Sequence, residues 1–198
     1  LTVLRHNRKD VTLKRPVRPN EGVEAEFRAK LDELIREMAK SVRFWIEAKF
    51  KANEPVVAQD ALPASTLQKM MEELSRRWQK RFDDLAPALA EYFAKDIRDR
   101  SDAALKKLLR DGGFSVKFKM TRAMRDVFEA TVNQNVSLIK SIPRRYLLEV
   151  EGAVQRSVQA GRDLGTLSRE LQDQYGVTRR RAALISRDQN NKATSALT

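Results

Sequence analysis

Three consecutive arginines, Arg179, Arg180 and Arg181, with Arg187 and Lys192 following on the same stretch, are the side chains whose type and spacing most invite chemistry. A guanidinium is a planar fork of donors that matches a carboxylate or a phosphate two bonds at a time. Thr178 is a good cap for a helix beginning at this point, which puts the three cations in its first turn. The helix macrodipole disfavours positive charge there. That placement costs a little and adds nothing evident to a fold. Two functional uses therefore stand beside the plain one of a solvated basic turn: contact with nucleic-acid phosphates, or ion pairs with an acidic partner.

Other reactive groupings are few. The chain has no cysteine, which excludes disulfides, thiolate metal ligation and thiol catalysis. Its single histidine, His6, lies in a basic N-terminal stretch, so neither a histidine metal site nor a Ser-His-Asp triad is expected. Glu72-Glu73, Asp83-Asp84 and Glu149 with Glu151 stand beside Lys or Arg on helical stretches and read as solvated faces or intrahelical ion pairs. Gly112-Gly113 follows a helix and precedes a strand-like run, the reverse of the order in a phosphate loop, and reads as a helix end. Trp45, Trp78 and the methionines fall on helical apolar stripes and are expected in the core. No catalytic residue, metal ligand or cofactor is expected, and the chain is not expected to be an enzyme.

The charge balance is the strongest global signal. Lys and Arg number 39 against 27 Asp and Glu, a net charge of +12. Such a surface attracts polyanions through counterion release, without sequence preference, or faces an acidic protein. The 198 residues suffice for one domain, or two small ones, with a real core. No apolar run approaches the roughly 18 residues of a membrane span, so no membrane contact is expected. The opening LTVLRHNRKD turns basic before any apolar leader core forms. The chain starts at Leu1 without Met, so its true start is expected to lie upstream.

These residues must be positioned by helices. Residues 1–20 read as a basic extended arm carrying Arg5, Arg8, Lys9, Lys14, Arg15 and Arg18, with Pro16 and Pro19 opposing a helix. From Glu21 an apolar stripe recurs at steps of three and four from Val23 to Phe50, after a possible cap at Asn20. A second stripe starts after Ser65. It is expected to be interrupted at Pro87, by a new helix from Asp84 or by a kink. Ser101 is expected to cap a short helix. Phe114, Val116, Phe118 and Met120 alternate with polar residues, the one clear period-two run. It reads as a short strand pairing with the arm, with another copy or with a partner's sheet edge, or else as an extended connector. Further helices are expected to start at Thr121, Ser141-Pro143, Thr166 and Thr178 and to end at Gly161 and Gly176. The expected fold is mainly α: an elongated helical protein with a long antiparallel helix pair, a compact C-terminal helical cluster and at most one or two short strands. It divides as a basic arm (1–20), a long-helix region (21–100) and a compact helical region (101–198).

The last third carries an ordered series: Ile142-Pro143, Tyr146-Leu147, the Gly161 and Gly165 pair before Leu167 and Leu171, Tyr175-Gly176-Val177, then Arg181-Ala182, Leu184-Ile185 and Arg187-Asp188-Gln189. Over residues 133–198 this series resembles the phage head-morphogenesis or minor head protein family, similar to protein F of phage Mu. Many relatives have an Ile-Ala-Arg-Thr-Glu type of segment where this chain has Ser186-Arg187-Asp188-Gln189-Asn190-Asn191. Family members continue past this point into a region with Trp-His and Arg-Pro-x-His patterns, so the chain is expected to lack its C-terminal region.

The resemblance implies a virion protein of a tailed phage, present in several copies at the portal vertex of the head, after assembly in the host cytoplasm. It implies the portal protein as partner, with the major capsid protein and packaged double-stranded DNA as further candidates. On that view Arg179, Arg180, Arg181, Arg187 and Lys192 meet DNA or acidic portal residues. The arm (Arg5, Arg8, Lys14, Arg15, Arg18) and the strand (Phe114, Val116, Phe118) dock on partner chains. The alternative is a sequence-nonspecific DNA-binding protein acting in packaging off the particle.

Overall fold

The computed structural model describes residues 2–5, 17–51, 64–112, 114–117 and 121–197. In chain order the elements are β1 (Thr2–Arg5), α1 (Glu21–Lys51), α2 (Ala64–Asp111), β2 (Phe114–Lys117), α3 (Arg122–Gln159) and α4 (Leu164–Leu197). The protein is mainly α. β1 and β2 pair antiparallel, with Val3 opposite Val116 and Arg5 opposite Phe114. The period-two run thus pairs with the N-terminal arm, one of the four uses open to it. Phe118 and Met120, and Arg8, Lys14 and Arg15 of the arm, lie outside the described residues.

Helix ends follow local chemistry. The Asn20 carboxamide oxygen accepts from the amides of Gly22 (2.9 Å) and Val23 (3.2 Å) at the start of α1. The Thr121 hydroxyl accepts from the Met124 amide at the start of α3. At the end of α3, Arg162 N–H reaches Ser157 C=O and Gly161 N–H reaches Val158 C=O, the paired bonds of a Schellman turn. Gly161 supplies its left-handed residue, with φ of 84°.

The helices are longer than expected. α2 runs through Pro87 and Ser101, α3 through Ser141 and Pro143, and α4 through Gly176 and Thr178. The expected cluster of short helices is instead two helices of 38 and 34 residues. Continuity of the buried stripe outweighs the local breaker. Phe82, Ala86, Ala90, Phe93 and Ile97 are all buried across Pro87, while Pro87 itself is exposed, where water can meet the carbonyl it leaves unbonded. Ile139, Ile142, Tyr146 and Val150 are buried across Pro143. Each of the larger side chains among them, such as Phe82, Phe93, Ile97 and Ile142, contributes about 1.5–3 kcal/mol of burial, comparable to the ~3 kcal/mol that an interior proline costs. The expected caps turn inward instead. The Ser141 hydroxyl donates to Leu138 C=O at 2.6 Å, and the Thr178 hydroxyl donates to Gln174 C=O at 2.8 Å.

The chain forms two compact units, each assembled from separated segments. Unit 1 comprises Leu1–Arg28, Pro87–Ser137 and Ile185–Thr198, and unit 2 comprises Ala29–Ala86 and Leu138–Leu184. Within unit 2 four antiparallel helical segments close on one another in sequence order. Arg81 pairs with Glu37 (α2 to α1), and the Gln79 amide donates to Lys140 C=O (α2 to α3). Arg181 donates to Ser141 (α4 to α3), and Arg179 pairs with Asp32 (α4 to α1). This is the up-down-up-down arrangement of a four-helix bundle. Its core is almost wholly apolar, built on Leu31, Ile35, Met38, Trp78, Phe82, Ile142 and Leu171.

Unit 1 has a different core. Phe27 and Phe93 stack at 4.0 Å between centroids, and Arg98 lies 5.4 Å from the centre of the Phe128 ring. Buried beside such apolar groups are Ser101, Asn135, Ser186, Gln189, Asn190 and Thr194. Trp78 is buried as expected, but Trp45 is not: it is 42% exposed, next to Phe44 at 63%. Its position follows the helical period, yet the buried stripe of α1 passes through Val42 and Ile46 and leaves Trp45 on the flank.

Candidate functional site

In unit 2 the α3 and α4 segments run antiparallel, with Ser141 opposite Arg181. That register sets Ile142, Arg145, Tyr146 and Glu149 of α3 facing Gln174, Val177, Thr178, Arg180, Arg181 and Leu184 of α4 across a groove of 440 Å³. Its floor is the buried face of Tyr146 and Thr178. Burial pushes the Tyr146 phenol well above its ordinary pKa, so it stays a neutral hydroxyl. Its rims hold exposed aliphatics, Val177 and Leu184.

The groove is cationic. Arg145 and Arg180 are exposed and carry no ion pair among the described residues. Arg181 is half-buried: its Nη2 donates to the Ser141 hydroxyl at 3.0 Å, while its Nε is buried with no acceptor among the described residues. Three guanidinium groups thus face one carboxylate, Glu149, in the lining. The exposed guanidinium groups of Arg145 and Arg180, which hold no carboxylate among the described residues, can bind an incoming carboxylate or phosphate by bidentate, charge-assisted hydrogen bonds.

The five cations singled out in the sequence do not share one environment. Arg180 and Arg181 enter the groove. Arg179 turns to the other side of α4, where it meets Asp32 at 3.0 Å and stacks over Tyr175 at 5.8 Å. The hydrogen bond to Asp32 raises its pKa further above the ordinary arginine value. Arg187 and Lys192 belong to unit 1, where Arg187 lies 3.6 Å from Glu24 and Lys192 lies 2.7 Å from Asp188. Their charges are already answered by carboxylates of the same chain. The triplet also lies some four turns inside α4, not in a first turn, because the helix starts at Leu164. The macrodipole penalty inferred for it does not apply.

Among the proposed docking residues, Arg18 is exposed ahead of α1. Arg5, Phe114 and Val116 belong to the β1–β2 ladder, whose two strands each keep one outer edge among the described elements. Arg145 was missed by sequence reasoning. It follows Pro143 as one of two arginines with no distinguishing spacing, and only the register of α3 against α4 sets it opposite Arg180 and Arg181. Among the described residues no three His, Cys, Asp or Glu converge on a possible metal position, and no helix is long and apolar enough to cross a membrane.

Comparison with known proteins gives little beyond this geometry. No protein-family model matches the chain, and no solved structure matches it. The chain is similar to a Haemophilus influenzae protein described as uncharacterized, 39% identical over 64 residues. That match covers 32% of this chain and spans 14% of the length of the relative.

Proposed function

We propose that this chain is a non-enzymatic assembly protein of a tailed-phage head, a minor head protein that joins the portal vertex and aids head morphogenesis, DNA packaging or delivery. The observation that carries this reading is where the resembling residues lie. Ile142, Tyr146, Val177, Arg181 and Leu184, all members of the series that resembles minor head proteins, line one groove in a helical bundle. A packing role alone asks for buried positions, yet Val177 and Leu184 are exposed and Arg181 holds a charge with no carboxylate partner among the described residues. A surface that receives another chain accounts for all three.

The net charge of +12 favours a second reading, sequence-nonspecific DNA binding off the particle. Co-expression separates the two. The chain is produced with and without the portal protein of its own phage, treated with nuclease and purified at moderate salt. The assembly reading predicts a nuclease-resistant complex with the portal ring. Absence of that complex, with DNA affinity that collapses as salt rises, would replace it with the DNA-binding reading.

A further inference from the structure

We propose that the groove between α3 and α4 of unit 2 docks an acidic, amphipathic helical segment of a partner protein. The inference deepens the reading above, since it takes the groove as a contact surface, and it identifies the occupant by chemistry alone.

Charge complementarity comes first. Arg145, Arg180 and Arg181 against Glu149 leave the lining two positive charges in excess, and none of the three arginines has a carboxylate partner among the described residues. An acidic partner segment supplies the opposite charge that these arginines lack among the described residues. Arg181 is preset for this: the Ser141 hydroxyl fixes one side of its guanidinium, so less side-chain freedom is lost on binding.

The aliphatic rim then separates protein from nucleic acid. Val177 and Leu184 stand seven residues apart on one face of α4, 45% and 64% exposed, with Arg180 and Arg181 between them. A duplex offers this face hydrated phosphates, which gain from the arginines and gain nothing from the Leu184 and Val177 side chains. A helix with aliphatic residues spaced three, four and seven apart and carboxylates between them satisfies both kinds of group, which is the helix-in-groove mode of recognition. From Val177 to Leu184 the helix rises about 10 Å, so the complementary segment is two to three turns long. A volume of 440 Å³ admits a few side chains of such a segment, not a folded domain.

The probe is a random dodecapeptide display library panned against the whole chain. Selected peptides are then titrated against the native protein, Arg181→Met, Arg180→Glu and Leu184→Asp, with Leu184→Ser as a milder variant and circular dichroism to check folding. Selected peptides should share carboxylates and aliphatics at helical spacing. Each arginine substitution should weaken binding about tenfold or more, the loss of a charged hydrogen bond. Both Leu184 variants should weaken it too. Three results would overturn the proposal: no selection, selection without carboxylates, or a short DNA duplex that competes and is lost with the arginines but indifferent to Leu184. Portal co-purification read beside it keeps the two claims apart. A portal complex that survives Arg181→Met and Leu184→Asp removes the groove proposal and leaves the head-protein reading. Selected acidic peptides without any portal complex do the reverse.

Discussion

Arg181→Met separates a functional arginine from a structural one. The substitution keeps an unbranched, apolar side chain along the α3–α4 contact while removing the charge. Two terms oppose each other in the free protein. The lost bond is Arg181 Nη2 to the Ser141 hydroxyl at 3.0 Å, worth about 1.5–3 kcal/mol as a hydrogen bond to a charged group. The gain is relief of the buried Nε that has no acceptor among the described residues, a penalty of about 1–3 kcal/mol. Their difference lies within about 2 kcal/mol of zero. Urea denaturation should therefore leave the midpoint and slope close to native, while affinity for an acidic partner falls. A loss of more than about 3 kcal/mol would show that Arg181 holds α3 to α4, and the argument that its charge is kept for a partner would fail.

Three further outcomes follow from particular contacts. Asp32→Asn breaks the partly exposed pair with Arg179 and should cost less than about 1 kcal/mol in denaturant titration; a cost above about 2 kcal/mol would make that pair a structural bridge. Asp163 caps α4, accepting from the Thr166 amide at 3.0 Å, and its hydrogen bonds to Thr166 hold its carboxyl below the ordinary value. With the folded-state pKa depressed, its contribution is complete above the unfolded value of about 3.9 and is lost as pH falls through the folded value. Melting curves should show the native chain losing stability relative to Asp163→Asn below about pH 4, and parallel curves would contradict the assignment. Asn135 is fully buried with neither side-chain polar atom bonded among the described residues, so Asn135→Leu should raise stability by about 1 kcal/mol or more. A destabilised Leu variant would mean that those atoms are hydrogen-bonded in solution.

Much of the helical architecture is legible in the sequence, and the groove is not. The α1 stripe from Val23 to Phe50, the Asn20 and Thr121 caps and the Gly161 terminus each depend on chemistry within a few residues, so local reading reaches them. The helix starts expected at Ser101, Ser141-Pro143 and Thr178 lie inside continuous helices, because a cap or breaker is visible locally whereas the burial that overrides it is spread along the helix. Trp45 shows the same limit: helical period places it near the core, but only packing decides which edge of the stripe is covered. The polar half of the α4 face was hidden in a similar way. Gln189 and Asn190 look like surface residues and are buried, Asn190 donating to the Asn20 carbonyl at 3.0 Å. The groove depends on the register of α3 against α4, which is a tertiary quantity. The arginine triplet was visible as a charge run, but its division between the groove and Asp32 follows from the angular positions of neighbouring residues around a helix whose start was misplaced.

The most direct test of the claim that this groove is where the chain meets a protein partner is site-specific photo-crosslinking. A benzophenone amino acid replaces Leu184 in the chain co-expressed with the proposed partner, a tailed-phage portal protein, and crosslinked peptides are read by mass spectrometry after nuclease treatment. Docking in the groove predicts crosslinks into an acidic helical segment of the portal protein, abolished by Arg180→Glu with Arg181→Met. A portal complex that forms normally while position 184 crosslinks to nothing, or only to DNA before nuclease is added, would contradict it.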